Sequence, residues 1–258
     1  MVHIDARCDQ NLFSNTEAPE VEFIDSRFEC PWGSFGRVSA TVELIRRGLD
    51  FPVSHFALLS EDSFLLYEPE EIGRQFPDSE TQIFMDLAPM GSNSKPISRI
   101  SRRFPFRGDP RKQGLALKIL DFLFTKAFVN RGWKAAVGDM RLFAGDSWWV
   151  ISRKAAQEIL DFVDSNPKFL EFSRSTWIAD EHFFQTILGN SLSEYSFEGS
   201  PMLANWTSGM GSYPPYFLSE RDEQWIRSNR SGHFFARKIE TYSKSFSFFA
   251  ERFRDSKA

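Results

Sequence analysis

The chain has 258 residues, 41% of them hydrophobic and 26% charged, with a net charge of −4. That is long and apolar enough for a substantial core, and the negative balance speaks against broad nucleic-acid binding, which needs clustered positive charge. No apolar run reaches the roughly 20 residues that cross a bilayer, and residues 2–10, VHIDARCDQ, do not read as a signal peptide; the expected location is the cytoplasm, with peripheral membrane attachment as the variant.

In chain order, residues 2–5, VHID, read as the end of a strand, and 21–25, VEFID, as a second one by alternation of apolar and acidic residues. A Pro/Gly turn, CPWGSFGRV, follows with Trp32 exposed, and then an amphipathic helix over 39–47. Strand, glycine turn, helix is the pattern of a parallel sheet. Residues 55–60, HFALLS, form a continuous apolar run of the kind buried on both faces, ending in Glu61 and Asp62 where ligands of open α/β sheets sit. A short helix over 69–76 and a strand over 81–87 come next. From 88 to 110 the composition turns to Gly, Ser, Pro and Arg, as in a long loop or lid.

Residues 114–129 return to a helical period, with Leu115, Ile119, Phe122 and Leu123 on one face. Residues 141–152, RLFAGDSWWVIS, read as two strands joined by a Gly-Asp-Ser turn, and 154–163 as a helix. The segment 177–188, WIADEHFFQTIL, carries apolar residues at helical spacing after Ser175 and Thr176, either of which suits a cap. Residues 196–216 are loop-like, Ser219 and Asp222 have capping-box spacing before a compact helix, 232–239 are strand-like, and a terminal helix follows from 243.

The anchor of the functional reading is Glu181. Steps of four, three and four from Trp177 reach Glu181, Phe184 and Leu188, so a carboxylate lies on an otherwise apolar stripe. Removing water raises a carboxyl pKa and suits it to act as a general base; the structural alternative is that Glu181 snorkels or pairs with an arginine. Glu61 and Asp62 suit ribose, sugar hydroxyls or a metal, or else a solvated strand end. Alternation sends Arg237 and Lys238 to opposite faces, and the indoles of Trp148 and Trp149 suit either a core or a sugar ring. A local basic cluster comprises Arg99, Arg102, Arg103, Arg107, Arg111 and Lys112. The four histidines stand apart, and Cys8 and Cys30 have no metal-binding spacing and are expected reduced. No Gly-rich phosphate loop, GxSxG elbow or CxxC pair occurs.

The order VHIDAR, PWGSF, HFALLSEDSFLL, AGDSWWVISRKA, WIADEHFFQTIL and finally NWTSG with HFFARKI resembles the family of core-2/I-branching acetylglucosaminyltransferases and protein xylosyltransferases, over residues 2–240. The resemblance implies one glycosyltransferase domain over 1–258 with the α/β GT-A-type fold, a mixed, mostly parallel sheet flanked by helices. It implies inverting transfer without a metal ion or other cofactor, from a UDP-sugar donor to a glycan or other hydroxyl acceptor, with N-acetylglucosamine the first choice of sugar and xylose the second. By resemblance Glu181 matches the catalytic base with Asp180 before it, and Lys238, beside Arg237, matches the basic residue that holds the donor diphosphate. Asp5, Trp32, Gly33 and Ser34 match positions lining the nucleotide-sugar pocket. Glu61 and Asp62 match the turn into the donor and acceptor cleft, and Trp148 lies in the AGDSWW motif.

Three departures stand out. Relatives carry a further strand and helix before the VHID strand, and here the chain starts at Met1, which leaves a miscalled start, a fragment or a chain without catalysis as the readings. Asp146 stands where serine is common, and Met202 and Leu203 stand where relatives often carry an arginine. The competing class is a catalytically silent carbohydrate- or nucleotide-binding protein of the same fold. A glycoside hydrolase would need two carboxylates facing across about 5 to 10 Å, and one candidate is well placed.

Overall fold

A computed structural model describes residues 1–13, 20–76, 80–92, 95–102, 114–127, 132–206, 215–240 and 244–253. The helices are α1 (Gly36–Gly48), α2 (Pro69–Gln75), α3 (Ser98–Ser101), α4 (Leu115–Ala127), α5 (Trp133–Val137), α6 (Arg153–Ser165), α7 (Pro167–Ser173), α8 (Phe183–Gly189), α9 (Glu223–Asn229) and α10 (Lys244–Arg252). The strands are β1 (His55–Ala57), β2 (Ser63–Leu65), β3 (Gln82–Met85), β4 (Ala88–Pro89), β5 (Phe143–Ala144), β6 (Trp149–Ser152), β7 (Ser196–Glu198), β8 (Met202–Ala204) and β9 (Phe235–Arg237).

The architecture is mixed α/β. Strands β1, β6, β3 and β7 form one sheet in that order, β2, β9 and β8 a second, and β4 and β5 a third. The expected mostly parallel sheet is not what forms. Among the described strands, β3 with β7 and β8 with β9 run parallel, while β6 lies antiparallel to both of its neighbours and β2 with β9 and β4 with β5 are antiparallel too. Alternation reports which face of a strand is buried and carries no information on direction. Strand β1 is also an edge, so its residues are half-buried or exposed instead of covered on both faces. The VHID and VEFID segments meet in a single parallel bridge, Val2 with Phe23.

The core is built around β6, the strand with all four residues buried. Trp149 and Ile151 face α1, α6 and α8 together with Ile83 and Met85 of β3. Val150 points to the other face, against Ile72 of α2 and Met202, Phe234 and Phe235. Helix α6 forms where the sequence places it because Ser152 accepts a hydrogen bond from the Ala155 N–H at 3.2 Å, capping the first turn. Its Ala155, Ala156, Ile159, Leu160 and Val163 then fall on one buried face. Helix α8 is buried on every side. The second sheet packs Phe64, Leu203 and Ala236 against Ile226 of α9 and Phe249 of α10, and the predicted capping box is present, the Ser219 N–H donating to Asp222 at 2.8 Å.

The two strands read over 141–152 are present, and they do not pair with each other. Strand β5 pairs with β4 and β6 with β1 and β3, so the Gly-Asp-Ser turn carries the chain from one sheet to another. Strands β7 and β8 lie within the stretch read as loop, whose residues 207–214 are outside the described residues. The same holds for 103–110 of the predicted lid, the described part of which forms β4 and α3.

Candidate active site

The segment 177–189 is not one helix. Ile178 adopts a left-handed backbone conformation, with φ 53° and ψ 55°, then a 3₁₀ turn spans Ala179–Glu181 and α8 begins at Phe183. Tertiary hydrogen bonds claim the backbone that a helix would use. The Ile178 N–H donates to the Gly33 carbonyl at 3.0 Å and the Trp177 N–H to the Arg99 carbonyl at 3.1 Å. The expected caps are absent too, since the Ser175 and Thr176 hydroxyls donate back to the carbonyls of Phe172 and Ser173. Glu181 is therefore displayed by a tight turn beside the PWGS segment. The Trp32 and Trp177 indoles meet edge to face at 5.7 Å, and a Cβ on Gly33, which has φ +74°, would come 2.8 Å from Trp177 Nε1. Trp32 is half-buried by this contact, contrary to the exposed position expected.

The Glu181 carboxylate forms an ion pair with Arg99, and Lys95 Nζ lies 3.8 Å away. The structural alternative, an arginine partner, is thus present in the fold. The Glu181 side chain keeps 25% exposure while those of Lys95 and Arg99 keep 10% and 16%. Burial pushes the Glu181 carboxyl above the ordinary range, against the opposing pull of Lys95 and Arg99. Lys95 also contacts Asp146 at 2.9 Å and Asp86 at 3.9 Å, so its ammonium sits between the two acidic side chains. Among the described residues no cluster of three or more His, Cys, Asp or Glu side chains is placed to hold a metal.

Asp180 faces inward. It is 5% exposed and accepts from Ser147 Oγ at 2.9 Å and from Arg37 at 3.3 Å, so it fastens the Glu181 turn to α1 and to the loop before β6. Asp62 and Arg237 form a fork, with Nη2 at 2.9 and 3.1 Å from the two carboxylate oxygens. The Arg237 guanidinium lies 4.4 Å from the centre of the half-buried Trp148 indole. Lys238 projects over the Phe217 ring at 5.6 Å, and Glu61 is exposed. Asp5 is bound by Arg7, at 2.6 and 3.0 Å, and by the Cys30 N–H at 3.3 Å; the Arg7 hydrogen bonds lower its pKa to about 2. Ser34 is buried and its hydroxyl makes no hydrogen bond among the described residues.

The loop over residues 145–148 joins these groups. The Gly145 N–H donates to the Glu181 carbonyl at 2.9 Å, Asp146 binds Lys95, Ser147 binds Asp180, and Trp148 stacks on Arg237. Gln185 of α8 fixes the loop further by donating to the Asp146 carbonyl at 2.8 Å. The sequence motif AGDSWW is thus the piece that connects the Glu181 turn to the Asp62–Arg237 pair. Two hollows of about 730 and 460 Å³ lie elsewhere, beside α6 and beside β1, and no predicted site residue lines either. Lys95 and the ion-pairing role of Arg99 were missed by the sequence reading. The signal was their separation of four residues inside the predicted lid together with the alternative that Glu181 pairs with an arginine.

The geometry gathers a half-dried carboxylate, two cations beside it and an aromatic-backed Arg–Asp pair around one loop. No curated protein matches the chain. The model of the core-2/I-branching enzyme family matches residues 1–227, a span that holds Glu181, Lys95, Arg99 and the 145–148 loop and stops short of Arg237 and Lys238. With most of its length matched, the chain belongs to the core-2/I-branching enzyme family, whose members are glycosyltransferases acting on a sugar donor and an acceptor.

Proposed function

We propose that this chain is an inverting, metal-independent transferase of GT-A type, one domain over 1–258, that moves a sugar from a UDP-sugar to a hydroxyl acceptor. N-acetylglucosamine is the first choice of sugar and xylose the second. The observation that carries the reading is the Glu181 carboxylate, raised in pKa by burial and held at a partly open turn beside Lys95 and Arg99.

In this reading Glu181 takes the proton of the acceptor hydroxyl as that oxygen attacks the anomeric carbon from the face opposite the nucleotide. The bond from that carbon to the diphosphate oxygen breaks, and UDP departs with the electron pair, leaving the sugar inverted. Lys238 neutralises the growing diphosphate charge; a unit charge about 4 Å away is worth roughly 4 kcal/mol at an effective dielectric of about 20. Lys95 and Arg99 hold the carboxylate in place at rest and orient the acceptor's polar groups when it enters. Asp5, Trp32, Gly33 and Ser34 line the donor side, Glu61, Asp62, Trp148 and Arg237 the turn between donor and acceptor, and Asp180 positions Glu181 from within.

One observation favours a second reading, a silent carbohydrate- or nucleotide-binding protein: at rest the carboxylate is already occupied by Arg99. Transfer from UDP-N-acetylglucosamine and UDP-xylose to a panel of glycan acceptors, run on the parent and on Glu181→Gln, separates the two. Loss of a general base lowers turnover by about 10²–10⁴-fold, while calorimetry registers unchanged donor affinity. A Glu181→Gln protein that turns over at the parent rate removes the base from this account, and a parent that binds donor without transfer favours the silent reading.

A further inference from the structure

The Lys95 ammonium is shared unequally. Its Nζ lies 2.9 Å from an oxygen of Asp146, within hydrogen-bond distance, and 3.8 Å from the Glu181 carboxylate, beyond it. Asp86 stands at 3.9 Å. The Lys95 side chain is 10% exposed, so these contacts are made largely out of water, where charges are weakly screened. A cation beside a carboxylate favours its charged form, and the attraction grows as the two approach. The distance between Lys95 and Glu181 therefore governs how tightly Glu181 holds a proton. The backbone sets that distance. The Asp146 N–H donates to Asp86 Oδ2 at 3.2 Å and its carbonyl accepts from Gln185 Nε2 at 2.8 Å, while the Gly145 N–H donates to the Glu181 carbonyl at 2.9 Å. One stretch of chain thus fixes the Glu181 turn and delivers the acid that competes for its cation. The remaining charges around the turn are Arg99 of α3, paired with Glu181 itself, and Asp180, held by Arg37 of α1 and by Ser147.

We infer that Asp146 is a positioning residue for Glu181: by drawing the Lys95 ammonium onto its own carboxylate it holds that cation back, and Glu181 stays a readier proton acceptor than Lys95 and Arg99 together would allow. The benefit to catalysis rests on Glu181 being the base of the proposed transfer; the effect on its proton does not. Neutralising Asp146 acts twice in one direction. It removes a negative charge that faces the same ammonium as Glu181, and it releases Lys95 toward Glu181, and both changes favour the ionised form of Glu181. Asparagine has nearly the shape of the aspartate it replaces, the side chain is 33% exposed, and both main-chain hydrogen bonds of residue 146 remain available.

The test is a carbon-13 NMR titration of the glutamate side-chain carboxyl groups in the full chain, with the Glu181 signal identified as the one missing from Glu181→Gln. In Asp146→Asn the Glu181 midpoint falls by about one pH unit. With Lys95→Met in both proteins the same substitution moves the midpoint clearly less, because the shared ammonium is gone. A Glu181 midpoint that is unchanged or higher in Asp146→Asn overturns the inference, as happens if Asp86 takes the ammonium in place of Asp146. An equal fall in the Lys95→Met background overturns it too, since Asp146 then acts without Lys95. Thermal unfolding checks that each variant is folded, and Asp146→Asn decides the matter even where Lys95→Met does not fold. The pH–rate profile of transfer is recorded on the same proteins, and its acid limb moves down with the Glu181 midpoint. A midpoint that falls while the acid limb stays removes Glu181 as the base and leaves the hold of Asp146 on Lys95 intact, so the two failures are distinguishable.

Discussion

Gly145→Ala is the sharpest probe of the loop that joins the site. An ideal Cβ at this position would lie 1.6 Å from the Asp86 carbonyl oxygen and 2.6 Å from its carbon, both main-chain atoms that no rotamer change can move. The backbone must shift, at about 1–3 kcal/mol for forcing extra volume into a packed site. A shift also endangers the hydrogen bond from the Gly145 N–H to the Glu181 carbonyl, 2.9 Å long, worth about 1 kcal/mol. The expected loss is about 2–4 kcal/mol, or a melting midpoint lower by about 5–15 °C for a chain of this size. Gly73 provides the control inside the same molecule. It lies in α2 with nothing within 4 Å of an added Cβ, so Gly73→Ala gains about 0.5–1 kcal/mol from helix propensity alone. Thermal and urea unfolding of parent, Gly145→Ala and Gly73→Ala, followed by tryptophan fluorescence, decides the matter. If Gly145→Ala unfolds with the parent, the loop does not lie against Asp86 and the described link to Glu181 is wrong.

Three further outcomes follow from the site. Lys238→Ala weakens UDP affinity measured by calorimetry, and unchanged affinity would remove its phosphate role. Transfer persists in EDTA; its loss on chelation would point to a metal held by carboxylates. Glu181 acts as a base only when deprotonated, and burial holds its pKa above the ordinary 4.5, so transfer rises as pH climbs through that raised value. The linked stability runs the other way: the folded chain keeps a proton that the unfolded chain has released, so this group's contribution falls as pH rises from the ordinary to the raised value. A pH–rate profile whose acid limb sits at or below the ordinary value would contradict the assignment.

Several structural features were legible because they depend on neighbours in the chain. The Ser219–Asp222 capping box, the apolar face of α6 and the helical period of α4 are set by residues within one or two turns of each other. Glu181 stood out as an acid among apolar residues, and the structure keeps it partly buried, although the regular helix that singled it out does not exist. The break at Ile178 was illegible because it is imposed from outside, by a carbonyl of Gly33 and one of Arg99 that compete for the N–H groups of the segment.

From sequence alone, then, came the mixed α/β class and the kinship with a transferase family, since each rests on residue type and local spacing. Only the tertiary structure decided that β6 runs antiparallel to both its neighbours, that the Gly-Asp-Ser turn crosses between sheets, and that Lys95 and Arg99 close on Glu181. Strand direction and ion pairing across 82 residues of chain are settled by which surfaces exclude water together and which charges are then left facing each other. Those are properties of the assembled core, and a linear pattern does not contain them.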